Sequence, residues 1–410
     1  MRSKFTKLLI GVCASFALGA AASAQKFEGL AETPPMGWNS WNTFATNINE
    51  ELIIGVADSM VENGMRDAGY IYINLDDGWM MRERDENGDL VPDPEKFPNG
   101  LKHLADYLHE RGFKFGIYGD AGRKTCAGYP GNQGHEYQDA RKYAEWGVDY
   151  LKYDWCSTES RDAVEAYTTM RDALYAAGRP VVFSMCEWGT AEPWLWAEDI
   201  GHLWRTTGDI ISCYDCVQEW SMGWKKILDL QMSLNPGING LEGYAGPGHW
   251  NDPDMMEVGN HGISDVESKS HFSLWAILAA PLIAGNDVRE MTPQIVDILT
   301  NEEAIAMNQD ALGKQGTRIY QDDEKEIWLK YLEGGDFGVC VLNASEEKRE
   351  TTMEWAQFQN HFATWNTSYE IRDVWAGANL GTTDEHPEVT QLLEPHEVML
   401  FRLNFIESTK

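Results

Sequence analysis

Asp154 closes a short apolar run, "DYLKYDWC" at residues 149–156, with Lys152 two positions before it and Cys156 two positions after. A single charge at a strand end is ordinarily a solvated charge. The pattern, however, recurs: Asp76, Asp77 and Trp79; Tyr118 and Asp120; Cys186, Glu187 and Trp188; Arg205 and Asp209; Trp250, Asp252 and Asp254 each close or follow an apolar run, and Trp38 and Trp41 end the first one. Six acidic ends, each with an aromatic nearby, point to one shared site. Aromatic faces cover the C–H face of a sugar ring, while carboxylates beside Arg or Lys hold its hydroxyls. Two carboxylates at one site can also divide glycoside cleavage, one as nucleophile or base and the other as proton donor. Lys152 favours the ionised form of Asp154, which suits a nucleophile. The donor needs a drier, less cationic place. With 17 tryptophans in the chain, most must be core.

Ends scattered over the sequence meet only if the fold gathers them. From residue 34 to 310, eight apolar runs alternate with amphipathic segments: "MGWNSW", "YIYINLDDGW", "FKFGIYGD", "DYLKYDWC", "PVVFSMCEW", "HLWRTTGDI", and weaker ones near "GYAGPGHWND" and "APLIAGND". Helices are expected within 50–69, 100–112, 137–147, 160–178 and 217–232, several closed by glycine. Apolar strands alternating with helices give a parallel sheet covered on its outside, and eight units predict a (β/α)8 barrel whose strand C-termini share one mouth. The first strand is followed by no GxGxxG, which argues against a dinucleotide fold. Beyond Gly313 the texture becomes strand-like ("EIWLKYLEG", "DFGVCVLNAS", "SYEIRDVWAG", "HEVMLFRLNF"). The sequence thus divides into a leader at 1–24, a barrel at 25–312 and an antiparallel β-sandwich at 313–410.

The leader has a basic start, a short apolar stretch and Ala22-Ser23-Ala24 before Gln25. It reads as a secretory signal peptide cut after Ala24, which predicts a periplasmic or secreted protein. The formal charge of the chain is −32, and removal of Arg2, Lys4 and Lys7 with no acid takes it to −35. Nucleic acid and anionic membrane surfaces are therefore unsuited as partners. An oxidising compartment permits disulfides among Cys126, Cys156, Cys186, Cys213, Cys216 and Cys340, and spacing alone does not set the pairing. Cys213 and Cys216 form a lone CxxC with no second pair and no HExxH, so no metal or other cofactor is expected. Asn343 and Asn366 are in glycosylation sequons. The oligomeric state is not set by these features.

Nine stretches in order, "PPMGWNSWNTF", "INLDDGW", "KFGIYGD", "TCAGYPG", "LKYDWC", "CEWG", "WRTTGDI", "GPGHWNDPDMMEVGN" and "AAPLIAGND", resemble glycoside hydrolase family 27, the retaining α-galactosidases. The resemblance implies the same barrel and sandwich, an α-galactoside substrate, Asp154 as nucleophile and Asp209 as acid/base. It assigns Asp76 and Asp77 to the hydroxyls at carbons four and six. Trp41, Tyr118, Lys152 and Arg205 become further substrate-binding residues, and Cys186, Glu187, Trp188 and Met255 the wall near carbon two. Cys126 and Cys156 match a family disulfide. Gly78 and Gly201 stand where some members have cysteines, so neither of those bridges is expected. Glu187 in place of a small residue is expected to crowd an N-acetyl group, and Asp77 to leave room for a hydroxymethyl group. Both disfavour the family's α-N-acetylgalactosaminidase and β-L-arabinopyranosidase activities. A non-catalytic galactose-binding barrel is the reading outside the enzyme class, and the presence of both Asp154 and Asp209 argues against it.

Overall fold

The computed structural model describes residues 26–234, 240–358 and 367–406. The expected leader and Asn366 lie outside them. Eight short parallel strands build the first sheet: β1 (Met36–Asn39), β2 (Tyr72–Leu75), β3 (Lys114–Asp120), β4 (Tyr150–Asp154), β5 (Val182–Cys186), β6 (Leu203–Arg205), β7 (Trp250–Asp252) and β8 (Leu282–Ala284). They pair in the order β8-β1-β2-β3-β4-β5-β6-β7, and a parallel bridge between Met256 and Ala284 closes the ring. All eight apolar runs thus become barrel strands.

Helices α1 (Glu50–Glu62), α2 (Gly100–Glu110), α3 (Glu136–Trp146), α4 (Ala163–Ala177), α5 (Trp224–Ser233), α6 (Asp265–Ile277), α7 (Pro293–Leu299) and α8 (Glu302–Asn308) complete the barrel domain. Local chemistry sets their ends. The Asn49 and Asp162 side chains accept the free amides of Leu52 and Glu165 at the starts of α1 and α4. Helices α3 and α4 stop on Gly147 and Gly178 in the left-handed conformation.

The segment 217–232 departs from expectation. Its helix begins only at Trp224. The preceding residues form a small parallel ribbon, in which Asp209–Ile211 pairs with Ser221–Gly223 across a Cys213–Cys216 disulfide. Helical periodicity in "VQEWSMG" is overridden because Gly223 is extended at the N-cap and its amide reaches back to the Cys216 carbonyl. Helix α6 also escapes an amphipathic search, since it is buried on nearly every side. Its one clear sequence signal is the capping box of Ser264 and Glu267.

The second domain pairs β9 (Thr317–Gln321), β10 (Lys325–Tyr331), β11 (Phe337–Asn343), β13 (Tyr369–Asp373), β14 (Ala378–Thr382) and β16 (Val398–Phe405) in one antiparallel sheet, and β12 (Arg349–Glu354) with β15 (Glu388–Leu393) in another. Side chains alternate along these strands as the pleat requires. Trp328, Cys340, Leu342 and Leu400 join the apolar cluster that continues into the barrel helices. Their neighbours Ile327, Leu329, Val339, Val341 and Phe401 fill the sandwich's own core. The chain is therefore a (β/α)8 barrel carrying a β-sandwich, the fold class expected from the sequence.

Polar ties reinforce this junction. Ser270 Oγ donates to the His396 carbonyl at 2.6 Å, and Lys269 pairs with Glu397 at 2.7 Å. The His396 ring stacks on Tyr214 of the ribbon, with centroids 3.5 Å apart and planes 8° from parallel. Asn343 is wholly buried; its Nδ2 donates to the carbonyls of Glu347 at 2.9 Å and Glu394 at 2.8 Å.

Candidate active site

The C-terminal ends of the barrel strands surround a cavity of about 580 Å³. Trp41, Asp76, Asp77, Tyr118, Lys152, Asp154, Trp188, Arg205, Asp209 and Met255 all line it. Three other mouth tryptophans, Trp38, Trp79 and Trp250, are fully buried core.

Asp154 terminates β4 and is 6% exposed. Its Oδ2 accepts the Tyr118 hydroxyl at 2.9 Å and its Oδ1 the Trp155 amide at 2.9 Å. Both bonds aim the carboxylate. Burial pushes its pKa up to about 6 against the pull of Lys152, and the nearby charge of Asp209 adds to the rise. Lys152 pulls toward the ionised form as expected, but its Nζ lies 2.8 Å from Asp76 Oδ2 and is shared with that carboxylate, so burial outweighs it. At neutral pH Asp154 remains mostly ionised. Asp120, one strand over, accepts the amides of Gly122 and Cys156 and is raised to about 9 by burial and by Asp154. Burial raises both carboxyls, and the charge of Asp154 adds to the rise at Asp120.

Beside them lies the "DDGW" pair. Asp76 accepts Asn39 Nδ2 and Lys152 Nζ, each at 2.8 Å, on one oxygen and the Asp77 amide on the other. Asp77 accepts the Ala127 amide at 2.8 Å on Oδ2, while its buried Oδ1 has no protein partner. Burial raises the Asp77 carboxyl. Ala127 is held in place by the Cys126–Cys156 disulfide, whose sequence separation is 30 residues. The loop after β3 packs so closely on the turn after Asp154 that a Cβ on Gly122 would stand 1.9 Å from the Cys156 carbonyl oxygen.

Asp209 lines the same cavity from the start of the ribbon, with its side chain 49% exposed. Arg205 Nη2 approaches its Oδ1 at 3.0 Å and Asp254 Oδ2 at 2.8 Å. This is a wetter and more cationic setting than the sequence argument required of a proton donor. Arg205 Nη2 also donates to the Gly208 carbonyl at 2.8 Å, so its charge is divided among several acceptors. Asp254 also accepts the Ile210 amide at 2.9 Å and thereby fastens the ribbon to the barrel.

Two of the expected wall residues are placed differently. Glu187 does not face the cavity: it is fully buried, and its Oε2 turns back to the Thr190 hydroxyl at 2.8 Å and the Ala191 amide at 2.6 Å. Burial raises it to about 7. It therefore cannot crowd a group at carbon two from this position, and that argument against an N-acetyl sugar falls. The cause is local, because Trp188 at φ 59° swings the chain so that Trp188, not Glu187, reaches the mouth. Cys186 lies one layer down, with Arg205 Nη1 3.4 Å from its Sγ. Like Cys340 it is a free, buried thiol.

Residues without an assigned role also reach the cavity, notably Asp254, Ile210, Ser212 and Trp220. Asp254 had a strand-end signal in "NDPDMM"; Trp220 had none, since its segment reads as a helix.

A barrel mouth with two carboxylates in unlike settings, an Arg and Lys set and aromatic walls defines a glycoside hydrolase. Comparison with known proteins agrees. Residues 33–310 match the family model described as "Alpha galactosidase A", and 322–403 the "Alpha galactosidase C-terminal beta sandwich domain". Alpha-galactosidase A of Cellvibrio japonicus is 48% identical over 407 residues, 96% of this chain and 98% of that protein. Among solved structures, alpha-galactosidase I from Mortierella vinacea matches with a TM-score of 0.85 at 35% identity, over 93% of this chain and 99% of that one. The Saccharomyces cerevisiae α-galactosidase with raffinose matches with a TM-score of 0.87 at 30% identity, over 94% and 99%. The chain belongs to the α-galactosidase family, glycoside hydrolase family 27.

Proposed function

We propose that this enzyme removes terminal α-D-galactosyl residues from the non-reducing ends of oligosaccharides or polysaccharides by a retaining double displacement, outside the cytoplasm. The observation that carries the reading is the pairing on one cavity of a buried, aimed carboxylate, Asp154, with a half-exposed one, Asp209. Asp154 attacks the anomeric carbon as Asp209 gives its proton to the departing oxygen. Asp209, now a carboxylate, then takes a proton from water, which attacks the same carbon and frees Asp154. Asp76, Asp77 and Lys152 hold the ring hydroxyls. The unpartnered Asp77 Oδ1 is a buried acceptor that a sugar hydroxyl would satisfy. The raffinose-bound yeast relative supports an α-galactoside in this mouth. The leader signature and the two disulfides, Cys126–Cys156 and Cys213–Cys216, support an oxidising compartment.

Proton NMR of p-nitrophenyl α-D-galactopyranoside hydrolysis, followed before mutarotation, tests the mechanism. First-formed α-galactose is expected. First-formed β-galactose would make Asp154 a base for inversion. A panel of nitrophenyl glycosides tests the sugar, and preference for the N-acetylgalactosaminide or the β-L-arabinopyranoside would overturn the galactosidase reading.

A further inference from the structure

The cavity of about 580 Å³ extends to the ribbon, where Asp209, Ile210, Ser212, Trp220 and Ser221 line it. There Trp220 is 77% exposed, an unusual state for the largest apolar side chain. Its exposure does not come from a loose loop. The Trp220 carbonyl accepts the Asp209 amide at 3.2 Å, Ser221 pairs with Asp209, and the Cys213–Cys216 bridge closes the intervening turn. Tyr214 is clamped between His396 and Trp224, and Ile210 is tied to Asp254. The ring is therefore presented at the cavity rim on a fixed support, its backbone bonded to that of Asp209, which lines the same cavity. Ser221, next to Trp220 in the chain, also lines the cavity.

We infer that Trp220 is the platform of a leaving-group subsite, stacking on the sugar ring that departs as Asp209 protonates the glycosidic oxygen. The inference rests on the galactosidase reading and deepens it: the enzyme is specific not only for the galactosyl ring but for a pyranose as its leaving group. A ring laid on Trp220 would also shield Asp209, whose side chain is 49% exposed, and so give it drier surroundings.

The test compares two substrates in wild type, Trp220→Ala and Trp220→Tyr. One is galactosyl-α-1,6-glucose; the other is α-D-galactopyranosyl fluoride, whose leaving group has no ring to stack. The ratio of kcat/KM for the disaccharide to that for the fluoride is expected to fall roughly tenfold in Trp220→Ala and to recover largely in Trp220→Tyr. An unchanged ratio, whether both rates hold or both fall together, would overturn the subsite and leave Trp220 as a support of the ribbon. Wild type that cleaves neither substrate would instead remove the galactosidase reading itself, so the two failures are distinct.

Discussion

Asp154 and Asp209 face one cavity from two different kinds of structure. The floor is made of strand ends: Asp76 and Asp154 are nearly buried, accept several hydrogen bonds each and are embedded in the barrel's sheet. The wall is a short ribbon outside that sheet, held by a three-residue disulfide link, one carboxylate contact to Asp254 and a stacked ring from the second domain. The difference teaches a division of labour. The floor fixes atoms that must not move relative to the sugar, and it bears the cost of burying charge. In the proposed mechanism the wall holds a group that exchanges protons with water in one half of the reaction and is shielded from it in the other, which its half-open setting suits.

Replacing each carboxylate is the strongest way to break this comparison. Asp154→Asn is expected to lower kcat by roughly 10⁴-fold or more on every substrate, while galactose binding measured by calorimetry persists. A loss that varied with the leaving group would mean the floor does not carry the nucleophile. Asp209→Asn is expected to slow the disaccharide by roughly 10²- to 10³-fold and galactosyl fluoride much less, because fluoride leaves without a proton. Equal losses would remove Asp209 as the acid.

A pH profile sharpens the contrast further. With Asp154 held at about 6, kcat/KM should fall on an acid limb centred near that pH, approaching tenfold per unit below it. A limb centred near 4 would show that Lys152, not burial, governs the floor. The linked stability has a definite sign. The folded-state pKa is above the ordinary value of 3.8, so the contribution of Asp154 is most favourable below 3.8 and is lost as pH rises through about 6. Asp154→Asn should therefore flatten the loss of thermal stability across that window.

The smallest effect distinguishes the two disulfides. Replacing Cys126 and Cys156 with serine opens a link spanning 30 residues and should cost roughly 3 to 4 kcal/mol. The same change at Cys213 and Cys216, a separation of 3, should cost roughly 2 kcal/mol or less yet depress disaccharide turnover by loosening Asp209. Urea unfolding beside steady-state rates separates the cases; a ribbon double mutant with full activity would mean the bridge does not position the wall.

The floor was legible in the sequence because a parallel barrel turns strand ends into one place. The eight apolar runs needed only alternation to be found, and Asp76, Asp77, Lys152 and Asp154 are within or just after them. Of the wall, Asp209 was legible but its partner strand was not, since Val217–Gly223 has helical periodicity and its real conformation is set by pairing with Asp209–Ile211 and by contacts from far along the chain, such as His396. Glu187 was misplaced for a similar reason. Its side chain direction depends on the left-handed turn at Trp188, and a non-glycine residue there has no local sequence mark. Positive φ recurs at Ser157 and Asp254, both next to the mouth, which is where backbone strain concentrates in working sites.

The buried amide of Asn343 has a consequence for how the protein can be manufactured. Asn343-Ala344-Ser345 is an acceptor sequence, and in a eukaryotic secretory host sugar transfer reaches nascent chain before β11 has closed. A glycan on Nδ2 would occupy the atom that must donate to Glu347 and Glu394 and would force a bulky polar group into a site with no exposure. Yeast or insect-cell material should therefore divide into active, unmodified protein and a glycosylated, misfolded fraction, which mass spectrometry of the soluble and retained pools would reveal. A bacterial periplasm without that machinery is the host in which this domain closes unhindered.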